Sequence, residues 1–140
     1  MDVTQIPFAQ HIGIEYKDEG TLKLDSTDIV HNHLQGIHAS AQFTLAETQS
    51  GLFLQQEFPE LVGKVAGVLR GSTVKYKNPT TTSIYATATV EDSAKEKFLS
   101  QLERKGRAGI SIIVELRDEN EVITMVGTFD WFIHKINLST

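Results

Sequence analysis

The residues best suited to chemistry lie in one loop and in the helix predicted to follow it. The segment HNHLQGIHAS at positions 31–40 holds three of the five histidines, together with an asparagine and a glycine. N–H groups at the start of a helix are unpaired and lie at the positive end of its dipole, so they can stabilise a developing oxyanion. Because we predict that the helix begins near positions 38–40, the candidate donors are the N–H groups of Ala39 and Ser40.

Glu47 is a lone carboxylate within that helix, and its neighbours favour an active role. Ser40, Thr44 and Gly51 fall on the same helical face, and all three are small, which leaves room for a substrate. Glycine inside a helix costs roughly 0.5–1 kcal/mol relative to alanine, so close packing or close approach is a reasonable explanation for Gly51. Partial burial would raise the pKa of the Glu47 carboxyl group, as in many sites that move protons.

The helix that carries Glu47 is predicted to run from about Ala39 to Glu57. Its apolar residues form two adjacent stripes, so we expect other parts of the chain to cover most of its sides. One stripe contains Leu45, Thr48 and Leu52, and the next contains Phe43, Ala46 and Phe53. Pro59 ends the helix, because the residue before a proline is pushed out of helical geometry.

Five segments have the alternation or the β-branched composition typical of strands. They span residues 21–26, 64–77, 81–92, 106–118 and 121–133. A tight connection separates the last two, which are therefore predicted to pair as a hairpin. Residues 93–106 place Phe98, Leu99 and Leu102 at helical spacing, which predicts a short surface helix ending at Gly106.

This order of elements predicts an α+β fold in which a curved antiparallel β-sheet wraps around one long central α-helix. A long helix with a broad apolar surface cannot stay exposed, and a sheet of this size has one face to bury against it. Repeats and linkers are absent, so residues 1–140 are expected to form one domain. Residues 1–19 are expected to be a short helix or an irregular lead-in.

Composition excludes several classes of protein. The sequence contains no cysteine, so disulfide scaffolds, zinc–thiolate sites and cysteine nucleophiles are excluded. The formal net charge of −5 argues against a nucleic-acid partner, which would require a basic face. We expect no membrane span, because no segment approaches the ~20 apolar residues that one needs. With no basic leader or apolar run at the N-terminus, the expected location is the cytoplasm.

Residues 32–47, within this order of elements, resemble the motif of the hotdog-fold thioesterase superfamily. Asn32 precedes Gly36-Ile37-His38, and Glu47 lies nine residues after His38. The resemblance is to the acyl-CoA thioesterases of the PaaI-like type, from phenylacetate degradation. The helical insertion at 93–105 is similar to DUF4442 domain proteins. The chain departs from the usual motif in two places, with Ala39 where a glycine usually follows the histidine and a longer loop after Asn32.

The resemblance implies an acyl-CoA thioesterase that hydrolyses a thioester to a free acid and coenzyme A. Glu47 would act as general base or nucleophile, the N–H of Ala39 would form the oxyanion hole, and His38 would orient the loop or contact the thioester. Asn32 belongs to the same catalytic motif. No cofactor is implied beyond coenzyme A, which is part of the substrate. A homodimer or a dimer of dimers is implied, with the acid and the loop facing each other across the interface.

Other residues are candidates for binding the substrate. They are Gly36, Ser40, Ser72, Thr73, Lys75 and Lys77. The two lysines could meet the phosphates of coenzyme A, although an ordinary polar sheet edge explains them about as well. The same two explanations apply to Arg70 and to the basic cluster formed by Arg104, Lys105 and Arg107.

Several alternatives stay open at this stage. The first is a non-catalytic hotdog protein that binds acyl-CoA or lipid, and the second is an enoyl hydratase or dehydratase with His38 as the central base. Asn32 is also a common turn residue, and a glutamate on a helix is most often solvated. A metal site built from His31, His33 and His38 is not expected, because no cysteine or clear carboxylate partner completes it.

Overall fold

The computed structural model of the chain describes residues 1–136, which form one mixed sheet-and-helix architecture. The helices are α1 (Pro7–Ile12), α2 (Ala39–Glu57) and α3 (Asp92–Lys105). The strands are β1 (Ile14–Asp18), β2 (Thr21–Leu24), β3 (Val65–Tyr76), β4 (Ile84–Thr89), β5 (Arg107–Arg117) and β6 (Ile123–Lys135). Short 3₁₀ turns span Val3–Gln5, Asp28–Val30 and Pro59–Leu61. No helix in this part of the chain has the length and apolar character required to cross a bilayer.

The six strands form one antiparallel sheet in the order β1-β2-β4-β5-β6-β3, and α2 packs against one of its faces. Every second residue of β5 is buried on that face, as an amphipathic strand requires. These residues are Ala108, Ile110, Ile112, Val114 and Leu116. The predicted α+β arrangement of an antiparallel sheet around a central helix is therefore confirmed, and so is the pairing of β5 with β6.

Helix α2 has the predicted limits and is held on the sheet by more than apolar packing. Leu45 and Ala46 are fully buried against the strands. Gln49 is buried as well, and its amide group links the helix to the β1–β2 hairpin. Its Oε1 accepts from the Leu22 N–H at 2.8 Å, and its Nε2 donates to the Gly20 carbonyl at 2.9 Å. A buried amide with both ends satisfied fixes the position of α2 along the sheet.

Two expectations about the strands require correction. Residues 14–18 are not an irregular lead-in, because they form strand β1 and pair with β2. Strand β4 is shorter than predicted, and its pairing with β5 stops at Thr89 opposite Ile113. Helix α3 packs against β5 instead, burying Phe98 and Leu102. Gly106 ends α3 in the left-handed conformation, with φ of 74°.

Strand β3 lies at the edge of the sheet and is poorly covered. It pairs only with β6, and none of its residues is fully buried. A β-bulge at Arg70 interrupts the register between Leu69 and Gly71. Because a bulge adds one residue to one strand, the side chains that follow it change faces. A twelve-residue edge strand with this exposure is an unsatisfied pairing surface.

Candidate active site

His38 caps the start of α2, and this cap determines which backbone N–H groups remain free to bind another group. His38 has extended backbone angles, and its Nδ1 accepts from the Ser40 N–H at 2.9 Å. The His38 carbonyl accepts from the N–H groups of Ala41 and Gln42. The Ala39 N–H has no acceptor among residues 1–136. Of the two N–H groups predicted as oxyanion donors, that of Ser40 already donates to the His38 imidazole, and only that of Ala39 has no acceptor among these residues.

Asn32 closes the loop that precedes the helix. Its Oδ1 accepts from the N–H groups of Leu34 at 2.9 Å and Gly36 at 3.0 Å. Its backbone N–H donates to the Gly36 carbonyl at 2.8 Å, which makes the loop a compact unit. Asn32 therefore acts as a turn residue, which was one of its two interpretations from the sequence. Its hydrogen bonds hold the loop that leads into α2 in one conformation.

Gly36 anchors this loop to the segment that follows β3. A Cβ atom at Gly36 would lie 2.9 Å from the Thr80 carbonyl oxygen, which is closer than side-chain carbons normally come. The N–H of Ile37 donates to the same oxygen at 2.9 Å. Thr80 was not predicted as a site residue, because this contact joins positions that are distant along the chain.

Substituting Gly36 by alanine is expected to destabilise the fold by about 1–3 kcal/mol, because backbone or loop must move to relieve the overlap. Urea unfolding of Gly36→Ala beside the wild type measures this cost. Gly109→Ala is the matched control, since its Cβ would meet the Trp131 carbonyl at an ordinary 3.7 Å. Equal midpoints for Gly36→Ala and the wild type would contradict the described anchoring.

A polar cleft of about 520 Å³ opens beside the start of α2 and brings together part of the predicted site. Asn32, Gly36, Ala39 and Lys77 line it. The remaining wall comes from Leu34, Ile37, Gln42, Tyr76, Asn78, Pro79, Thr80, Thr81, Thr82, Asp118 and Asn120. The Tyr76 hydroxyl donates to the Ala39 carbonyl at 3.1 Å, so the end of β3 is fastened to the first residue of α2. Burial raises the pKa of the Tyr76 phenol.

Glu47 lies farther along α2 as a half-buried carboxylate. It makes no hydrogen bond or ion pair with any other group in residues 1–136, and burial raises its pKa above the ordinary 4.5. The neighbouring hydroxyls serve the helix backbone instead. Thr44 donates to the Ser40 carbonyl at 2.9 Å, and Ser50 donates to the Glu47 carbonyl at 2.6 Å. None of the described side chains therefore occupies the carboxylate.

An apolar cavity of about 330 Å³ lies beyond Glu47, toward the end of α2. Gly51 is one helical turn from Glu47 and lines this cavity with Phe58 and Trp131. Trp131 is partly buried and packs against the core. Its indole N–H donates to Ser50 Oγ at 2.9 Å, which holds the ring beside Gly51.

Most of the other residues predicted to bind the substrate do not line the polar cleft. Ser72 is paired with the buried Phe129, so it lies on the helix side of the sheet. Thr73 and Lys75 are paired with Thr128 and Val126 and lie on the opposite face. The remaining basic candidates lie outside both cavities, and Arg70 instead packs over the Phe132 ring at 4.3 Å.

The remaining histidines of the loop do not form a ligand set. His31 Nε2 lies 2.8 Å from Ser26 Oγ, and His33 is exposed. In the part of the chain that the structure describes, no three His, Asp or Glu side chains are grouped closely enough to hold a metal ion.

The sequence profile of one protein family matches residues 5–133, which is nearly the whole chain. That family is described as a domain of unknown function, DUF4442. The chain belongs to the DUF4442 family. No curated protein is significantly similar in sequence to this DUF4442 protein.

Solved structures establish the fold of the DUF4442 protein. A Pseudomonas aeruginosa protein described as a probable thioesterase is 19% identical with a TM-score of 0.82, covering 96% of this chain and 91% of that one. A Bacillus halodurans protein crystallised with CoA is 20% identical with a TM-score of 0.70, covering 90% and 74%.

The PaaI protein of Escherichia coli, from the phenylacetic acid degradation operon, is also similar. It is 19% identical with a TM-score of 0.67, and the match covers 95% of this chain and 86% of that one. At these identities the similarity concerns the fold. The predicted hotdog fold of the DUF4442 protein, with its likeness to PaaI, is therefore confirmed.

Proposed function

We propose that this DUF4442 protein is an acyl-CoA thioesterase whose active sites are each shared by two chains. The observation that carries the proposal is Glu47, a half-buried carboxylate on the central helix with a raised pKa and no partner among residues 1–136. Leaving a carboxylate half-buried and unpaired is unfavourable for stability, so a use outside folding is the expected reason for it. The unpaired N–H of Ala39 supplies the complementary half of such a site.

The chemistry assigned to these groups is hydrolysis of a thioester. Glu47 accepts a proton from water as the water oxygen attacks the carbonyl carbon, or it attacks that carbon itself. The N–H of Ala39, at the positive end of α2, stabilises the resulting oxyanion. Collapse of the tetrahedral intermediate breaks the carbon–sulfur bond. In the first route the protonated Glu47 gives its proton to the departing thiolate, which leaves the free acid and regenerates the carboxylate. In the second route water hydrolyses the anhydride formed with Glu47 to the free acid, the carboxylate is regenerated, and a proton of that water goes to the thiolate.

The spacing of these groups along α2 favours a shared site. Ala39 and Glu47 are eight residues apart, and at 1.5 Å per residue this corresponds to about 12 Å along the helix axis. A reacting carbonyl must lie about 3 Å from both its nucleophile and its oxyanion donor. One chain cannot easily meet both conditions, whereas Glu47 of one chain and Ala39 of a second chain can.

Strand β3 is the surface proposed to join the two chains. Its outer edge is unpaired within residues 1–136, and Val68 on it is 52% exposed. Pairing of two β3 strands would satisfy both edges and produce a continuous sheet across the dimer. The same strand ends at Tyr76, which contacts Ala39, so an interface along β3 would lie close to the oxyanion donor.

Light scattering is expected to give a mass of at least twice the 15.6 kDa of one chain. Val68→Lys places a charge on the proposed pairing edge and should weaken dimerisation by about tenfold or more, with parallel loss of thioesterase activity at low protein concentration. Val122→Lys is the matched control, since Val122 is 41% exposed in the β5–β6 connection. A monomeric wild type with full activity would exclude the shared site.

The polar cleft is proposed to receive the coenzyme A part of the substrate. It contains the oxyanion donor Ala39, and Lys77 on its wall can meet a phosphate. The similar Bacillus halodurans protein was crystallised with CoA, which supports a coenzyme A thioester as the substrate class.

The first experiment is thiol release from a panel of acyl-CoA thioesters, short to long and aromatic, followed with a thiol-reactive dye. The protein contains no cysteine and adds no background to this assay. Release of free coenzyme A with saturation kinetics supports the proposal. Tight binding of acyl-CoA without turnover would make the chain a binding protein, and consumption of an enoyl-CoA double bond without thiol release would make it a hydratase.

A further inference from the structure

The apolar cavity beyond Glu47 has the size and the lining of a pocket for a hydrocarbon group. It has a volume of about 330 Å³, and none of the described residues that line it has a charged side chain. Gly51, Leu54 and Gln55 of α2 line it, together with Phe58, the residue that follows the helix. The walls of the cavity come from four separate parts of the chain.

The Trp131 ring packs directly against the backbone at two glycines of this cavity, Gly51 and Gly67. A Cβ at Gly51 would be 3.7 Å from the indole ring, and a Cβ at Gly67 would be 3.5 Å from it. The hydrogen bond from the Trp131 indole N–H to Ser50 fixes the orientation of the ring. The wall of the cavity next to Glu47 is therefore a rigid aromatic surface.

Helix α3 closes the far end of the cavity. The Phe98 ring packs on the Phe58 ring with a centroid distance of 5.0 Å, and both side chains line the cavity. The ion pair between Lys95 and Glu57 fastens α3 to the last residue of α2. Helix α3 also covers the part of β5 that β4 leaves unpaired. The same helix therefore packs on the sheet and forms one wall of the cavity.

We propose that this cavity binds the acyl group of the substrate and selects an unbranched apolar chain of about eight carbons. The inference rests on the proposed thioesterase function. The cavity begins at Gly51, one turn from the carboxylate, so an acyl group entering it would leave its carbonyl near Glu47.

The length of the cavity sets the length of the chain. From Gly51 to Phe58 the helix advances about 10 Å, and an extended chain advances roughly 1.2 Å per bond, the value implied by the reach of the polypeptide backbone. Its volume of about 330 Å³ is at the lower end of the ~300–1,000 Å³ typical of small-molecule sites. The polar groups of the lining, the Gln55 amide and the Met1 ammonium, are bonded to each other. A hydroxylated acyl group would therefore lose hydration against the apolar walls with little compensation.

Trp131 permits a test that does not depend on turnover, because it is the only tryptophan in the chain. The probes are non-hydrolysable alkyl thioethers of coenzyme A, from butyl to hexadecyl, titrated while indole emission is recorded. Affinity is expected to rise about fourfold per added methylene up to octyl and then to stop rising. The emission maximum should shift with every probe that enters the cavity, the butyl probe included, because the indole lies beside Gly51, where the cavity begins.

Leu54→Phe narrows the pocket and should shorten the preferred chain. Binding of the octyl probe is expected to weaken by about tenfold or more while the butyl probe changes by less than about twofold. The matched control is Leu99→Phe, the same substitution on α3 at a position outside the cavity. It should bind the whole series as the wild type does.

The outcomes separate this inference from the proposed function. Affinity independent of chain length, unchanged indole emission or no binding of any alkyl probe would overturn the acyl pocket, even if thiol release from acyl-CoA proceeds. Chain-length-dependent binding that Leu54→Phe shortens, in a protein that releases no thiol, would support the pocket and overturn the thioesterase.

Discussion

Substituting Glu47 by glutamine is expected to lower kcat for acyl-CoA hydrolysis by about 10²–10⁴-fold, the range found when a general acid or base is removed. Glutamine has nearly the same shape but cannot accept the proton or attack the carbonyl. Since no group within residues 1–136 is paired with the carboxylate, the substitution leaves no broken ion pair and the fold should be retained. Thiol release measured for both proteins gives the ratio directly.

The exposed Glu103 on α3 provides the control for this substitution. Glu103→Gln removes the same charge from the surface and should leave kcat within about twofold, since surface substitutions away from a site have small effects. A Glu47→Gln protein that retains most of the activity would assign the chemistry to another group.

The raised pKa of Glu47 also predicts how activity and stability depend on pH. Half-burial disfavours the charged form, so the carboxyl group loses its proton at a higher pH than the ordinary 4.5. As a base it must be ionised, and kcat/KM should therefore rise with pH through this raised pKa and reach a plateau above it. Glu47→Gln should abolish this acid limb in the residual activity.

The effect on stability has the opposite sign. Below the unfolded pKa the carboxyl group is neutral in both states, and as pH rises through the raised folded pKa the folded state loses relative stability. Glu47→Gln is therefore expected to be more resistant to urea than the wild type at neutral pH, with the difference vanishing toward pH 4. An advantage that grows as pH falls would contradict the assigned cause.

Substituting Ala39 by proline is expected to remove the oxyanion donor while preserving the helix. Ala39 is the first residue of α2, a position where proline is favoured because the N–H has no intrahelical partner. The preceding His38 already has φ of −61° and ψ of 140°, the extended conformation that proline requires before it. Loss of the N–H should lower kcat by about 10²–10³-fold, measured by thiol release.

Two controls separate the lost N–H from other effects of proline. Ala39→Gly keeps the N–H and should retain activity close to that of the wild type. Asp92→Pro places proline at the first position of α3, after an extended Glu91, and tests whether proline at a helix start disturbs the fold. Full activity in Ala39→Pro would mean that another donor stabilises the oxyanion.

Mixing the Glu47→Gln and Ala39→Pro chains tests the shared site itself. When equal amounts exchange subunits, half of the dimers contain one chain of each kind. One of the two sites in each such dimer combines an intact Glu47 with an intact Ala39, so the mixture should recover about one quarter of wild-type activity. Sites contained within single chains would show no recovery, since every chain carries one defect.

The sequence by itself determined the elements whose signals are local. The limits of α2, from Ala39 to Glu57, follow from helical spacing and from Pro59. The β5–β6 hairpin follows from alternation on both sides of a tight connection, and the end of α3 follows from Gly106. Glu47 could be selected as a candidate because the small residues around it lie within two helical turns.

The tertiary structure decided which of the candidate residues meet. Leu69 of β3 faces the helix. If side chains alternated regularly along this strand, Thr73 and Lys75 would face the helix as well. The bulge at Arg70 moves them to the opposite face and turns Ser72 inward instead. A bulge depends on the register with β6, which is a long-range property that the strand pattern does not contain.

The same distinction applies to the site and the cavity. The N–H of Ser40 is occupied because the His38 ring folds back onto it, a side-chain choice that residue types alone leave open. The apolar cavity exists because β4 stops at Thr89 and α3 brings Phe98 onto Phe58. Both features depend on packing between segments that are distant along the chain, so they can be identified only in the folded structure. Glu47, in contrast, can be identified as a candidate from the sequence alone.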